Sequence, residues 1–174
     1  MENQYTRIDI KRKSGMDIKP KFLDAMSKLV SSVHIVTTDG QFGKAGVTVS
    51  AVTSVTIDSD KPVMLCCLHQ ESSAAPVIIK NNCFCINSLT SAQREIADVF
   101  ASISSLKNVD KFSISNFESL STGSPVLSNS LVSFDCKLLS YDLTGSHHVI
   151  FGEVQDLKVN RGAPLLYGNR NYVE

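Results

Sequence analysis

The chain has 174 residues, 43% of them apolar and 20% charged, which suits one globular domain burying about 70% of its unfolded surface. Seventeen Lys and Arg balance seventeen Asp and Glu, so there is no basic excess of the kind that grips a nucleic-acid backbone. No apolar run nears the ~20 residues that span a bilayer, which excludes a membrane-spanning helix.

Residues 1–19 show no periodicity and read as a loose arm ahead of a single domain at 20–174. The arm's basic cluster, Lys11-Arg12-Lys13 with Lys19 and Lys21, reads as solvated. It lacks the apolar stretch of a signal peptide, so a cytoplasmic protein is expected. Five cysteines, an odd number in mostly apolar runs, suit reduced thiols that pack as small hydrophobes. Cys83 and Cys85 would share one strand face, and no second pair stands at zinc spacing, so no metal site is expected.

Phe22, Ala25, Met26, Leu29 and Val30 draw one apolar stripe, and Pro20 suits a first turn, which predicts a helix over 20–31. Val33 to Thr38 reads as a strand closed by the turn Asp39-Gly40. From Ala45 to Ile57 small and apolar residues alternate with mostly hydroxyl-bearing ones, the period-two signature of one long strand. Val63 to Leu68 is another apolar run, followed by a polar turn and a short helix over 74–80. Cys83 to Leu89 reads as a strand and 91–102 as a helix, whereas 108–125 is a Ser-, Gly- and Asn-rich surface excursion with little regular structure. Alternation over 132–138, and the stretch from His147 to Val159, make a hairpin turning at Asp142 to Gly145. Six or seven strands mostly following one another, with about three short helices, favour a mainly β antiparallel barrel or sandwich over a doubly wound sheet.

No phosphate-binding loop, dinucleotide glycine fingerprint or nucleophile elbow is present. His147 and His148 are neighbours, so on a strand they face opposite ways and do not share one metal. What remains is Thr48-Val49-Ser50-Ala51-Val52-Thr53-Ser54, whose hydroxyls, backbone groups and small side chains could receive a flat polar ring. A half-exposed strand wetted on its polar face explains the same pattern. Ser72 and Ser73 precede a helix start, where they cap it or hold a phosphate. Lys111 and Phe112, after Asp110, are by themselves a loop pair.

Six segments in order resemble the flavin reductase-like, FMN-binding split-barrel family, which includes reductase components of two-component flavin-dependent monooxygenases. They are Phe22 to Met26 with Val33 to Thr38; Gly46 to Val55; Ser72-Ser73; Phe84-Cys85-Ile86-Asn87-Ser88-Leu89; Asp110-Lys111-Phe112 with Gly123 to Leu127; and Gly152-Glu153-Val154 with Pro164 to Tyr167. The resemblance runs from about Phe22 to Tyr172. The resemblance implies an antiparallel Greek-key split barrel and an NAD(P)H-dependent flavin reductase. Such an enzyme passes a hydride from NADH or NADPH to FMN or FAD, as a homodimer, and supplies a partner monooxygenase. It also implies that Thr48 to Ser54 surround the flavin ring, that Ser72, Ser73, Lys111 and Phe112 lie near its phosphate, and that His147 lies on the nicotinamide side. Ser32 and His34 depart from the family's Gly-Val-Thr-Val-Val-Thr-Thr. The family's Gly-Asp-His is Gly145-Ser146-His147 in this chain, with the Asp lost. No side chain is implied as acid, base or nucleophile, because hydride transfer is the cofactors' own chemistry. Two alternatives use the same barrel. One is a non-enzymatic flavin-binding redox or electron carrier. The other is a haem- or flavin-linked oxidase with His34 or His69 as axial ligand.

Overall fold

A computed structural model describes residues 17–58, 60–103 and 110–173. The arm expected over 1–19 falls mostly outside these residues. Its last stretch leads into α1 (Lys19–Ser27), which has Pro20 in its first turn. The helix ends four residues earlier than expected, because Ser31–Ser32 (β1) are claimed by a small sheet with β11 (Leu166–Gly168). Its apolar stripe does not enter the core: Phe22, Leu23 and Met26 are exposed.

The remaining elements are β2 (His34–Thr38), β3 (Ala45–Val49), β4 (Val52–Thr56), β5 (Val63–His69), α2 (Ala74–Asn81), β6 (Cys83–Ser88), α3 (Arg94–Phe100), β7 (Phe117–Ser119), β8 (Pro125–Leu127), β9 (Val132–Thr144), β10 (His147–Val159) and β12 (Asn171–Val173). Seven strands form one antiparallel sheet in the order β3-β2-β6-β9-β10-β5-β4. Its two edge strands, β3 and β4, follow one another in sequence. The sheet therefore curls until its ends meet, and the barrel is split between them.

Inward side chains fill the barrel: Val36, Met64, Cys66, Phe84, Ile86, Cys136 and Ile150 form one buried cluster, joined by Ala74, Ala75 and Ile78 of α2. Gly152 makes room for this packing, since a Cβ there would stand 2.4 Å from the Phe84 ring and 2.8 Å from Cys136. The β9–β10 register shifts beside it, as a bulge does. A second cluster, Val33, Ile35, Leu89, Ala97, Phe100, Leu127 and Leu165, lies between the outer face of β2 and α3. With apolar packing on both faces, β2 is buried along its whole length and reads as a nearly unbroken β-branched run.

A polar hub crosses this frame. The Asn87 side chain accepts from Leu127 N (2.8 Å) and Ser133 Oγ (2.8 Å) and donates to Thr37 Oγ1 (3.1 Å), tying β6 to β8, β9 and β2 with all four residues buried.

Three further differences have local causes. The long strand expected over 45–57 breaks at Ser50–Ala51, where the chain passes from one sheet edge to the other. The helix over 91–102 begins as a 3-10 turn capped by a reciprocal Thr90–Gln93 box and becomes α-helical only at Arg94. Within the excursion over 108–125, residues 108 and 109 lie outside the described residues. The rest holds a 3-10 turn at Lys111–Ser113 and half of the β7–β8 hairpin. Among the described residues no helix is long and apolar enough to cross a membrane.

Candidate active site along the barrel seam

Among the described residues β3 pairs only with β2, so its outer edge carries alternate N–H and C=O groups that no described strand claims. A cleft of about 260 Å³ opens beside that edge, lined by Val47, Thr48, Val49, Ser50, Ala51, Cys67, Leu68, His69, Ser72 and His147. Two other cavities continue it. One of about 220 Å³ shares Thr48, Val49 and Ser50 and adds Val33, Ala101, Ile103, Tyr167 and Tyr172. The other, about 360 Å³, lies at the start of β3 among Lys44, Ala45, Gly46, Ser73, Val77, Asp110, Lys111 and Phe112.

The expected site residues divide at the seam. Thr48, Val49, Ser50 and Ala51 line the cleft, although the Thr48 hydroxyl donates to Ala97 O at 2.7 Å and so holds α3 in place. Val52 packs against the barrel interior. Thr53 and Ser54 are exposed on β4, and none of these three lines the cleft. Ser72 lies in the cleft with its Oγ accepting from Ala74 N (3.2 Å), and Ser73 stands at the α2 N-terminus in the adjoining cavity.

Lys111 lines that cavity, but its Nζ donates to Phe100 O (3.1 Å) and Ser102 Oγ (3.0 Å) at the end of α3. Burial lowers its pKa. Phe112 meets Phe100 edge-on at 5.3 Å and packs into the outer cluster. Asp110, the acidic group of this cavity, accepts from Phe112 N (3.0 Å) and caps the 3-10 turn.

His147 reaches the cleft on the opposite wall from β3, with Nδ1 3.1 Å from Ser146 Oγ. Beneath the cleft, His34 of β2 pairs with Val49 across the ladder. Its ring is buried, with Nδ1 2.9 Å from Ser88 Oγ, and burial holds its pKa down to about 4.

Among the lining residues that sequence reasoning does not place at a flavin site are Lys44, Cys67 and His69, the last named only as a haem ligand of an alternative reading. Lys44 brings a second cation, 5.3 Å from the Phe112 ring centroid and 3.4 Å from Asp39. Its signal was a lone base in the small-residue turn before β3. Cys67 and His69 end the apolar run of β5. There alternation sends Cys66 and Leu68 inward, and Cys67 and His69 to the cleft.

The donor set suits a flat heterocycle with an anionic tail. A strand edge presents alternating donors and acceptors to the ring. Ser50 and Ala51 add little bulk. Two lysines, Ser73 and the α2 N-terminus surround the far end.

Residues 26–174 match the family model described as "Flavin reductase like domain". The FMN reductase (NADH) RutF of Pantoea ananatis is 36% identical over 168 residues, covering 96% of this chain and 86% of that protein. A solved flavin reductase of Haemophilus somnus superposes with a TM-score of 0.80 at 37% identity, over 88% of this chain and 97% of that one. Nitrilotriacetate monooxygenase component B from Mycobacterium thermoresistibile superposes with a TM-score of 0.80 at 25% identity, over 89% of this chain and 85% of that one. The family match spans nearly the whole domain, seam and cleft included, and the chain belongs to the flavin reductase-like family as a split-barrel oxidoreductase that reduces flavin.

Proposed function

We propose that this flavin reductase holds FMN along the free edge of β3 and takes its hydride from NADH bound on the His147 side. The carrying observation is the seam itself. A strand edge unpaired among the described residues faces a cleft with His147 on its far wall and two lysines at one end. FMN over FAD is supported by the name of the Pantoea ananatis relative. When bound, the flavin supplies the hydride-accepting ring.

The chain's share is alignment and shielding. The β3 edge sets the ring plane, and Cys67 walls the cleft against water. His147 offers a ring nitrogen to the nicotinamide side. Ser146, within 3.1 Å of its Nδ1, keeps a polar partner where the family's Asp is missing. No side chain is required to move a proton at the reacting carbon.

Anaerobic mixing with FMN and NADH tests the reading. Flavin absorbance bleaches with turnover, and a rate equal to the protein-free control refutes it. In fluorescence titrations of FMN, Lys44→Glu weakens binding by about 1.5–3 kcal/mol, the range for a charge-assisted hydrogen bond. Lys111→Glu weakens it less, because that ammonium already serves Phe100 O. Unchanged affinity in Lys44→Glu removes Lys44 from the phosphate end.

The reduced flavin goes to a separate oxygenase, in keeping with the Mycobacterium thermoresistibile neighbour being a monooxygenase component. Five unpaired thiols suit a cytoplasmic setting. The working unit is a homodimer. Leu139, Tyr141 and Leu143 on the outer reach of β9, with Val55 and Ile57 at the end of β4, are all exposed apolar side chains for a second copy to cover. Light scattering at micromolar concentration is expected to return twice the chain mass; monomer alone rejects the dimer.

A further inference from the structure

Outside the residues given a role above, the cleft holds one other ring. His69 closes β5 directly opposite His147 of β10, the two being Cα partners in the ladder. Their imidazoles meet edge to face, with centroids 5.0 Å apart and planes at 85°. Each ring is tethered from its own side. Glu71 N donates to His69 Nδ1 at 3.2 Å, and Ser146 Oγ stands 3.1 Å from His147 Nδ1. Because the backbone N–H occupies Nδ1 as an acceptor, the neutral His69 ring carries its proton on Nε2. A second backbone bond, Gln70 N to Ser146 O at 2.8 Å, staples the two strand ends together just beyond the rings.

His147 is an exposed side chain on a hairpin end, where an unsupported imidazole samples several rotamers. The perpendicular ring of His69 removes that freedom on one side. His69 is itself held, since its Nδ1 is bonded two residues ahead and its own carbonyl accepts from Ser72 N at 2.9 Å. The turn that carries Ser72 into the cleft therefore also sets the His69 ring, and through it His147.

We infer that His69 is a positioning residue for NADH use: its ring fixes the orientation of His147 toward the nicotinamide nucleotide. The inference rests on the placing of NADH beside His147. It adds that the two histidines act as one unit, with His69 working through its ring contact and not as a direct donor to the nucleotide.

The test is a steady-state and double-mutant series in the full chain with FMN and NADH. His69→Ala is expected to raise the KM for NADH about three- to tenfold, the size of one aromatic edge contact, with kcat and FMN affinity unchanged. His69→Phe keeps an edge-to-face ring and is expected to restore most of the loss. The double variant His69→Ala/His147→Ala is expected to be no worse than His147→Ala alone. If His69→Phe is as impaired as His69→Ala, or the two losses multiply in the double variant, His69 acts on its own and the inference is overturned. If His147→Ala raises KM and His69→Ala does not, the positioning role alone fails. If His147→Ala leaves KM unchanged, the placing of NADH fails first, and the inference falls with it. FMN titration and thermal melting of each variant separate these outcomes from misfolding.

Discussion

Replacing Asn87 with Leu is expected to lower stability by about 3–6 kcal/mol and the melting temperature by roughly 10–20 °C. The substitution leaves Leu127 N and the Ser133 hydroxyl without their 2.8 Å acceptor and strips Thr37 Oγ1 of its 3.1 Å donor, all in buried surroundings. Leu127 N is left with no partner, at about 1–3 kcal/mol, whereas Ser133 Oγ keeps Ser130 Oγ and Thr37 Oγ1 keeps the carbonyls of Cys85 and Pro125, so each of these loses one bond at about 0.5–1.5 kcal/mol. Circular dichroism melts check the value, and a shift under about 3 °C would mean the hub is dispensable. FMN affinity at low temperature should stay near that of the unaltered protein, because Asn87 does not line the cleft. Phe84 to Leu89 resembles the family through this residue, and the structure gives it a reason in folding rather than chemistry.

Lowering the pH from about 6.5 toward about 4 is expected to remove about 3 kcal/mol of stability through His34 alone. Its folded pKa, about 4, lies below the unfolded 6.5, so between those values the unfolded chain binds a proton that the folded chain refuses. The contribution is fully present above pH 6.5 and is lost as the pH falls toward the folded value, at ~1.4 kcal/mol for each pH unit crossed. Asp135 acts in the opposite direction in the more acid range, since burial raises its carboxyl pKa against the bonds from Thr122. Urea melts of the unaltered chain and of His34→Gln at about pH 7.5, 6 and 5 separate the two. The variant should lose the slope across that range, and equal slopes in both proteins would refute the assignment.

Most of the barrel is legible in the sequence because its strands alternate on a period that one chain carries by itself. The β9–β10 hairpin is legible as far as Leu138, since Phe134, Cys136 and Leu138 pack on the interior; beyond it β9 runs exposed to Thr144, so Asp142 to Thr144 are strand and the turn stands at Gly145-Ser146, with Gly145 at a φ of 61°. The break at Ser50–Ala51 is not legible. The alternation from Val47 to Val55 runs straight through it, and nothing in a period of two says which neighbour a strand pairs with. That blind spot falls on the site, which is why the pattern groups Val52, Thr53 and Ser54 with Thr48 to Ala51. The β11–β12 hairpin escapes the sequence reading although Gly168-Asn169 marks it; Asn169 and Arg170 both take positive φ, as its tight turn requires. Lys111 is found by resemblance, yet its bond to Phe100 O belongs to the fold around α3 and leaves no trace in spacing.

The strand order also sets a timetable for synthesis. The β4–β5 hairpin can form as soon as residue 69 has left the ribosome, but the other edge of β5 pairs with β10, which begins at His147. At roughly 5–20 residues per second that partner arrives on the order of 4–16 s later. Through that interval Met64, Cys66 and Leu68 have no barrel to close over them, so a nascent chain stalled before β10 presents an apolar sheet edge to chaperones and to other nascent chains.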